Sequence, residues 1–364
     1  MASSLPPGAV IGMLGAGQLG RMTALAAARL GYRVLGFSDR PLGEPLDQVS
    51  PDRIVAAWDD EAALARFADR VDVIGYEFEN VPVHAARFLE ARVPLHPTAR
   101  LLERSQDRLI EKRWIRSCGV PTAPFAPVDS VDALRMALDE LGAPAILKTR
   151  RMGYDGKGQA RLQGPEDASA AWAALGGAPC ILEGLVSFDC EASVIIASDQ
   201  RGETMCFPTA KNDHEHGILR DSHVPSDLAP AIEHAAQDIA RALAKDIGLV
   251  GILAVELFVL PDGTLMVNEV APRTHNSGHW TQDACETSQF EQHVRALVGL
   301  PLGPVGLTRP VTMHNLLGDE VLDAPRLLAD PDARVHLYGK GTPRPGRKMG
   351  HVNLLAKQDP AASA

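Results

Sequence analysis

Two glutamates, Glu256 and Glu269, lie on either side of a Pro-Asp-Gly turn in ILAVELFVLPDGTLMVNEVAPRTHNSGHWT, residues 252–281. Apolar runs flanking such a turn read as a β-hairpin. With Asp262 and Gly263 as the central turn residues, strand pairing sets Glu256 directly opposite Glu269. Like charges so placed repel, and a hard divalent cation held between them, with Asn268 alongside, relieves the repulsion. Mg2+ bridging nucleotide phosphates is the leading expectation. The competing reading is a hairpin whose loop is one residue longer, with both glutamates on a solvated polar face.

Other segments carry phosphate chemistry. Gly15-Ala16-Gly17-Gln18-Leu19-Gly20 matches G-x-G-x-x-G between a strand and a helix, with Asp39 ending the next strand, which is the dinucleotide fingerprint. Its physics is general, because glycines let the backbone approach an anion and the helix N-terminus offers unpaired N–H groups to any phosphate. Met152–Gln159 is a second glycine-rich loop, following the strand of Lys148, in which Lys148 and Lys157 supply charge,. Glu183 and Glu191 flank residues 185–189, where a strand edge could meet an adenine and its ribose, although glutamates at strand ends are most often solvated. Arg273, His275, Asn276 and His279 crowd the segment after the hairpin. His275 and His279 have i, i+4 spacing, but Asn276-Ser277-Gly278 is a poor helix and no glutamate follows His275, so zinc is not expected. An arginine and a histidine there suit a small anion beside the cation. Trp280 reads as a packed wall residue; Arg344, Arg347 and Lys348 form a basic cluster, whose Pro345–Lys348 turn reads as a solvated basic loop or, in so acidic a chain, a clamp on a substrate phosphate,.

The elements that must position these groups change character along the chain. Through about Val93, short apolar strands alternate with amphipathic helices, including one from Gln18 to Leu30 stopped by Gly31, which is parallel α/β. From Pro144 onward strands dominate in an α+β pattern, with helices at 166–175, 227–246 and from Thr287 to Val298, followed by a small strand-rich appendage,. A length of 364 residues suits two or three domains,. Apolar runs stay below the roughly 18 residues of a membrane span. The opening MASSLPPGAVIGML reads into a buried strand rather than an export leader,. Five scattered cysteines fit reduced thiols,, and a net charge of -10 argues against nucleic acid,.

Together, GAGQLGRM, YEFENV, ILKTRRMGYDGKGQ, the hairpin ending NEVAPRTHNSGHWT, and RPGRKMGH resemble the N5-carboxyaminoimidazole ribonucleotide synthetases, ATP-grasp enzymes of purine biosynthesis. The resemblance covers almost the whole chain and is most specific in the NE-APR-HNSGHWT string. It implies a Rossmann-like N-terminal domain (1–105), an ATP-grasp central unit of two α+β lobes (106–300) and a small strand-rich C-terminal domain (301–364). By this likeness ATP would meet Arg108, Lys148, Gly153, Tyr154, Asp155, Gly156, Lys157, Gly158, Gln159, Glu183, Gly184, Leu185, Val186, Glu191, His214, Asn268 and Glu269. Glu256 and Glu269 would hold magnesium. Tyr154, Gly156, Lys157, Arg273 and His275 would hold bicarbonate and serve catalysis, and 5-aminoimidazole ribonucleotide would lie against Gln18, Leu19, Glu77, Asn276, Lys340 and Arg347. The implied reaction runs through carboxyphosphate under a closing lid at 154–159, in a cytoplasmic homodimer without membrane or nucleic-acid partners. The end soon after Gly350–Leu354 suggests a trimmed small domain, and no mutase segment is recognised. An NAD-dependent dehydrogenase, a sister ATP-grasp ligase activating formate, and a non-catalytic nucleotide sensor are the rival readings.

Overall fold

The computed structural model describes residues 4–153 and 156–357. The N-terminal region runs β1 (Val10–Leu14), α1 (Gln18–Arg29), β2 (Arg33–Ser38), β3 (Arg53–Val55), α2 (Glu61–Ala68), β4 (Val73–Tyr76) and α3 (Val83–Glu90). Its sheet has the order β3-β2-β1-β4 with all neighbours parallel. Strands covered on both faces can be apolar throughout, and β4 is buried at every position. α1 stops where Gly31 takes φ +82°, a backbone that residues with a Cβ rarely adopt.

The chain continues through α4 (Ala99–Ser105), α5 (Arg108–Ser117), β5 (Phe125–Val128), α6 (Val131–Leu141), β6 (Ala145–Thr149), β7 (Gln159–Leu162), α7 (Ala168–Ala174) and β8 (Cys180–Gly184). β5, β8, β6 and β7 form a small antiparallel sheet in that order. Its apolar face packs on α6 and α7 through Leu134, Leu138, Leu147 and Leu182. α5 is capped by Asp107, whose carboxylate accepts the N–H groups of Leu109 at 3.0 Å and Ile110 at 3.3 Å,.

The third region contains β9 (Cys190–Ser198), β10 (Thr204–Cys206), β11 (Ala210–Glu215), β12 (Ile218–Val224), α8 (Pro230–Ile247), β13 (Gly251–Val259) and β14 (Leu265–Ala271). After it come α9 (Thr281–Ala284), α10 (Gln289–Val298), β15 (Val311–Leu317), α11 (Ala324–Leu328), β16 (Ala333–Leu337) and β17 (Lys348–Leu355). The C-terminal strands are not a sheet of their own. β15 pairs with β12, giving one nine-stranded sheet in the order β14-β13-β9-β11-β12-β15-β17-β16, with β10 beside β9. α8 and α5 cover one face through Leu243, Ile247 and Trp114. α10 joins the N-terminal region to the rest, its Phe290, Val294 and Leu297 packing with Ile11 and Met22. Arg108, Lys148, Glu183, Glu256 and Glu269 come together in the cleft between the small and large sheets, with α5 along its side.

Candidate active site

The β13–β14 hairpin places Glu256 opposite Glu269, but by another route than a tight Asp-Gly turn. Residues 260–264 form a longer loop, closed by Gly263 N–H to Leu260 C=O at 2.8 Å and Leu260 N–H to Thr264 C=O at 2.9 Å. The ladder beside it pairs Val259 with Leu265 and Leu257 with Val267. That register would bring Asn268 opposite Glu256. A β-bulge at Asn268 restores the Glu256–Glu269 pair,.

Each carboxylate already has a side-chain nitrogen as partner. His275 Nε2 lies 3.0 Å from Glu256 Oε1 and Arg108 Nη1 lies 2.8 Å from Glu269 Oε2. Burial opposes ionisation of Glu256, but the His275 hydrogen bond and charge, helped by His214 and Lys348, hold its pKa at about 2,. Both carboxylates thus have protein partners in addition to facing one another. Asn268 points a buried Oδ1 that has no hydrogen-bond partner. His275 is held from both sides, since its N–H donates to Gln289 Oε1 at 2.9 Å and its carbonyl accepts Gln289 Nε2 at 2.7 Å.

Glu183 is the clearest departure from the solvated-glutamate reading. It is 3% exposed and lies between Lys148 Nζ at 2.9 Å and Lys112 Nζ at 3.4 Å. Burial raises its pKa, yet the two lysines and Arg108 bring it down to about 2. Its carboxylate is thus engaged by two lysines. Glu191 pairs with His214 Nδ1 at 2.7 Å. Burial lowers the His214 pKa, and the Glu191 hydrogen bond and charge more than reverse this.

The glycine loop leaves β6 and returns as β7. Arg108 Nη2 donates to Gly153 C=O at 3.3 Å, and Gly156 and Gly158 have φ +74° and +71°. A side chain at Gly156 would meet the His216 carbonyl at 3.0 Å, so the loop reaches the β11–β12 turn of the opposite sheet. Lys157 and Gln159 are exposed on it, while Tyr154 and Asp155 lie outside the described residues. Beyond Gly184, Leu185 is exposed and Val186 half-buried, and Phe188 stacks on Phe258 with centroids 4.6 Å apart.

At the N-terminal glycine turn, the anion is internal. The amides of Gly17 and Gly20 both donate to the Glu77 carboxylate, the latter at 2.7 Å. Side chains at Gly15 or Gly17 would run into Glu77. Burial raises the Glu77 pKa, while these amides, Lys340 and Arg273 lower it. Leu19 is 7% exposed and Glu77 8%, so the surface of this turn is offered by Gln18. Lys340 is pulled down to about 8 by burial, Arg347 and Lys348, with Glu77 opposing. Arg347 Nη1 donates to the Lys340 carbonyl at 3.0 Å, whereas Arg344 is exposed. Arg273 pairs with Glu79, and Asn276 exchanges two 2.9 Å side-chain amide bonds with Asn315. Trp280 is fully buried.

Lys112, Glu79, Gln289 and Asn315 were not singled out in the sequence. Lys112 stands four residues after Arg108, on the same helical face, a spacing that could have revealed it.

Comparison with known proteins accords with this layout. Residues 9–106 match the ribonucleotide synthetase preATP-grasp domain, 113–290 the ATP-grasp domain, and 311–364 the phosphoribosylaminoimidazole carboxylase C-terminal domain. The chain is 49% identical to N5-carboxyaminoimidazole ribonucleotide synthase of Brucella melitensis biotype 1, covering 97% of this chain and 98% of that protein. It is similar to an ADP complex of an N5-carboxyaminoimidazole ribonucleotide synthetase, with TM-score 0.93, 43% identity and coverage of 100% and 96%. An Aspergillus clavatus N5-carboxyaminoimidazole synthase complexed with ADP and 5-aminoimidazole ribonucleotide gives TM-score 0.90 at 30% identity, covering 96% and 94%.

Proposed function

The chain belongs to the N5-carboxyaminoimidazole ribonucleotide synthase family of ATP-grasp ligases, and from that premise we propose how its own residues perform the reaction. That reaction is the ATP-dependent carboxylation of 5-aminoimidazole ribonucleotide to N5-carboxyaminoimidazole ribonucleotide in purine biosynthesis. The observation carrying the assignment of residues is the convergence of Lys148, Arg108 and the Glu256–Glu269 pair on one cleft between two sheets.

ATP lies in that cleft. Lys148, oriented by Glu183, and Arg108 meet its phosphates, the glycine loop through Lys157 and Gln159 covers them, and Leu185, Val186, Phe188 and Phe258 line the base end. Glu191 and His214 stand beside the sugar. Facing carboxylates and an unpartnered Asn268 oxygen are hard donors suited to Mg2+,. Among the described residues no cluster of three or more His, Cys, Asp or Glu exists to hold a metal, and the facing pair Glu256 and Glu269 would be its carboxylate ligands,. Mg2+ bound by Glu256 and Glu269 would neutralise charge on the phosphates.

Bicarbonate is the second substrate, held by Arg273 and His275 with Tyr154 and Gly156 of the loop. Its oxygen attacks the γ-phosphorus and the ADP oxygen leaves, giving carboxyphosphate. Lid closure keeps water from that intermediate. The exocyclic amine of the ribonucleotide then bonds to the carboxyl carbon, phosphate departs, and the amine loses a proton. Lys340 and Arg347 clamp the ribonucleotide phosphate, with Gln18 and Asn276 beside it. Divided at 1–105, 106–300 and 301–364, the chain acts as a cytoplasmic homodimer, a reading that its free thiols suit and that sedimentation and cell fractionation check. A dehydrogenase reading is disfavoured because Glu77 occupies the amides a dinucleotide pyrophosphate would need.

The decisive experiment measures ADP release with ribonucleotide and bicarbonate, each omitted in turn. Omission of either should lower turnover strongly. Undiminished ADP release without both would remove the proposed reaction sequence.

A further inference from the structure

The bulge that brings Glu269 opposite Glu256 has supports supplied from another element. Asn268, the residue it leaves unpaired in the ladder, gives its carbonyl to Lys112 Nζ at 2.9 Å. Two residues on, the Val270 N–H donates to Glu111 Oε1 at 2.8 Å. β14 is the edge strand of its sheet, and edge strands carry backbone groups that no neighbouring strand satisfies. Here two side chains of α5, 2% and 0% exposed, satisfy them. Arg108 on the same helix reaches Glu269 itself.

The alternative register is already present beside the loop. Continued past Leu257–Val267, it would pair Glu256 with Asn268. A slip of one residue turns a side chain to the opposite face of its sheet, so Glu269 would leave the cleft. Buried ionisable groups are a costly way to fill a helix–strand gap unless their specific contacts matter. Lys112 also approaches Glu183 at 3.4 Å, whose other oxygen holds Lys148. One ammonium thereby touches both sheets that form the cleft.

We propose that Glu111 and Lys112 are positioning residues which pin the β14 bulge and so hold Glu269 across from Glu256. The inference rests on the reading of those two carboxylates as cation ligands. Both side chains hydrogen-bond the backbone of β14.

The test measures ADP affinity by calorimetry with and without Mg2+, and Mn2+ binding to the ADP complex by electron paramagnetic resonance. It uses the full chain and Glu111→Leu, Glu111→Gln, Lys112→Met and Glu269→Gln. Glu111→Leu and Lys112→Met should each reduce the metal-dependent gain in ADP affinity about 10-fold or more, as changes behind metal ligands do. Glu111→Gln keeps an acceptor for Val270 and should restore that gain to within about twofold. A merely structural role would lower the melting temperature while leaving the ratio of affinities with and without metal unchanged, and would overturn the proposal. If Glu269→Gln loses the gain while a folded Glu111→Leu keeps it, the positioning role fails and the metal assignment stands. If Glu269→Gln keeps the gain, the metal assignment itself fails and the proposal falls with it. Should Lys112→Met not fold, the Glu111→Leu and Glu111→Gln pair decides alone.

Discussion

At the β13–β14 hairpin, Glu256 and Glu269 face the cleft, the first met by His275 and the second by Arg108. At the Gly15–Gly20 turn, Glu77 has moved in upon the amides themselves, leaving the turn closed around a carboxylate of its own protein. Both segments carry motifs for handling phosphate charge. In the first, the partners are side chains, and the long one, Arg108, can be drawn onto an incoming phosphate,. In the second, the amides are rigid backbone, so an anion seated there serves as a structural part. A motif announces a capacity, and tertiary packing decides whether a ligand or the protein itself uses it.

The largest effect that would sharpen this contrast is at Glu269. Glu269→Gln should lower ADP release about 100- to 1,000-fold, the scale expected when one charge-stabilising group is lost from an active site, with the melting temperature little changed. Full activity would break the comparison at its catalytic side. Lys340→Ala should come next, raising KM for the ribonucleotide about 10-fold through loss of one charge-assisted phosphate contact, with KM for ATP unaltered.

Glu77→Ala is expected to act on the fold. Two amides would lose their acceptor in a buried place, costing about 1–3 kcal/mol, read as a lower urea midpoint. An unchanged midpoint would show that the glycine turn does not depend on its internal anion. Two pH dependences are smaller. Lys340 is charged below about 8 and neutral above it, so KM for the ribonucleotide should climb as pH passes that value, and Lys340→Arg should abolish the climb. Glu183, with its pKa depressed from 4.5 to about 2, contributes stability that is complete above 4.5 and is lost as pH falls from there towards about 2. Urea unfolding at descending pH should show that loss, and Glu183→Gln should flatten it.

Much of the molecule was legible in short stretches. The turn-helix signature placed α1 within a residue, the alternation of apolar runs gave a parallel first sheet, and the Glu256–Glu269 pairing was anticipated. That pairing was reached through a two-residue turn that does not form. The longer loop shifts the strand by one residue and the Asn268 bulge shifts it back, two departures that cancel. α6 and the β11–β12 hairpin passed unread, and so did the continuation of the C-terminal strands from β12. The burial of Glu183 between two lysines was not anticipated because those lysines come from positions 112 and 148.

By itself the amino-acid order determined which segments become helices, strands and glycine turns, and which chemical groups each carries, since periodicity and backbone freedom act over a few neighbouring residues. The tertiary structure alone decided that Glu77 fills the glycine turn, that Lys112 spans β14 and Glu183, and that Glu269 faces the cleft. Those outcomes depend on burial and on hydrogen bonds between groups dozens to hundreds of residues apart. Such distances become short only once the sheets have packed.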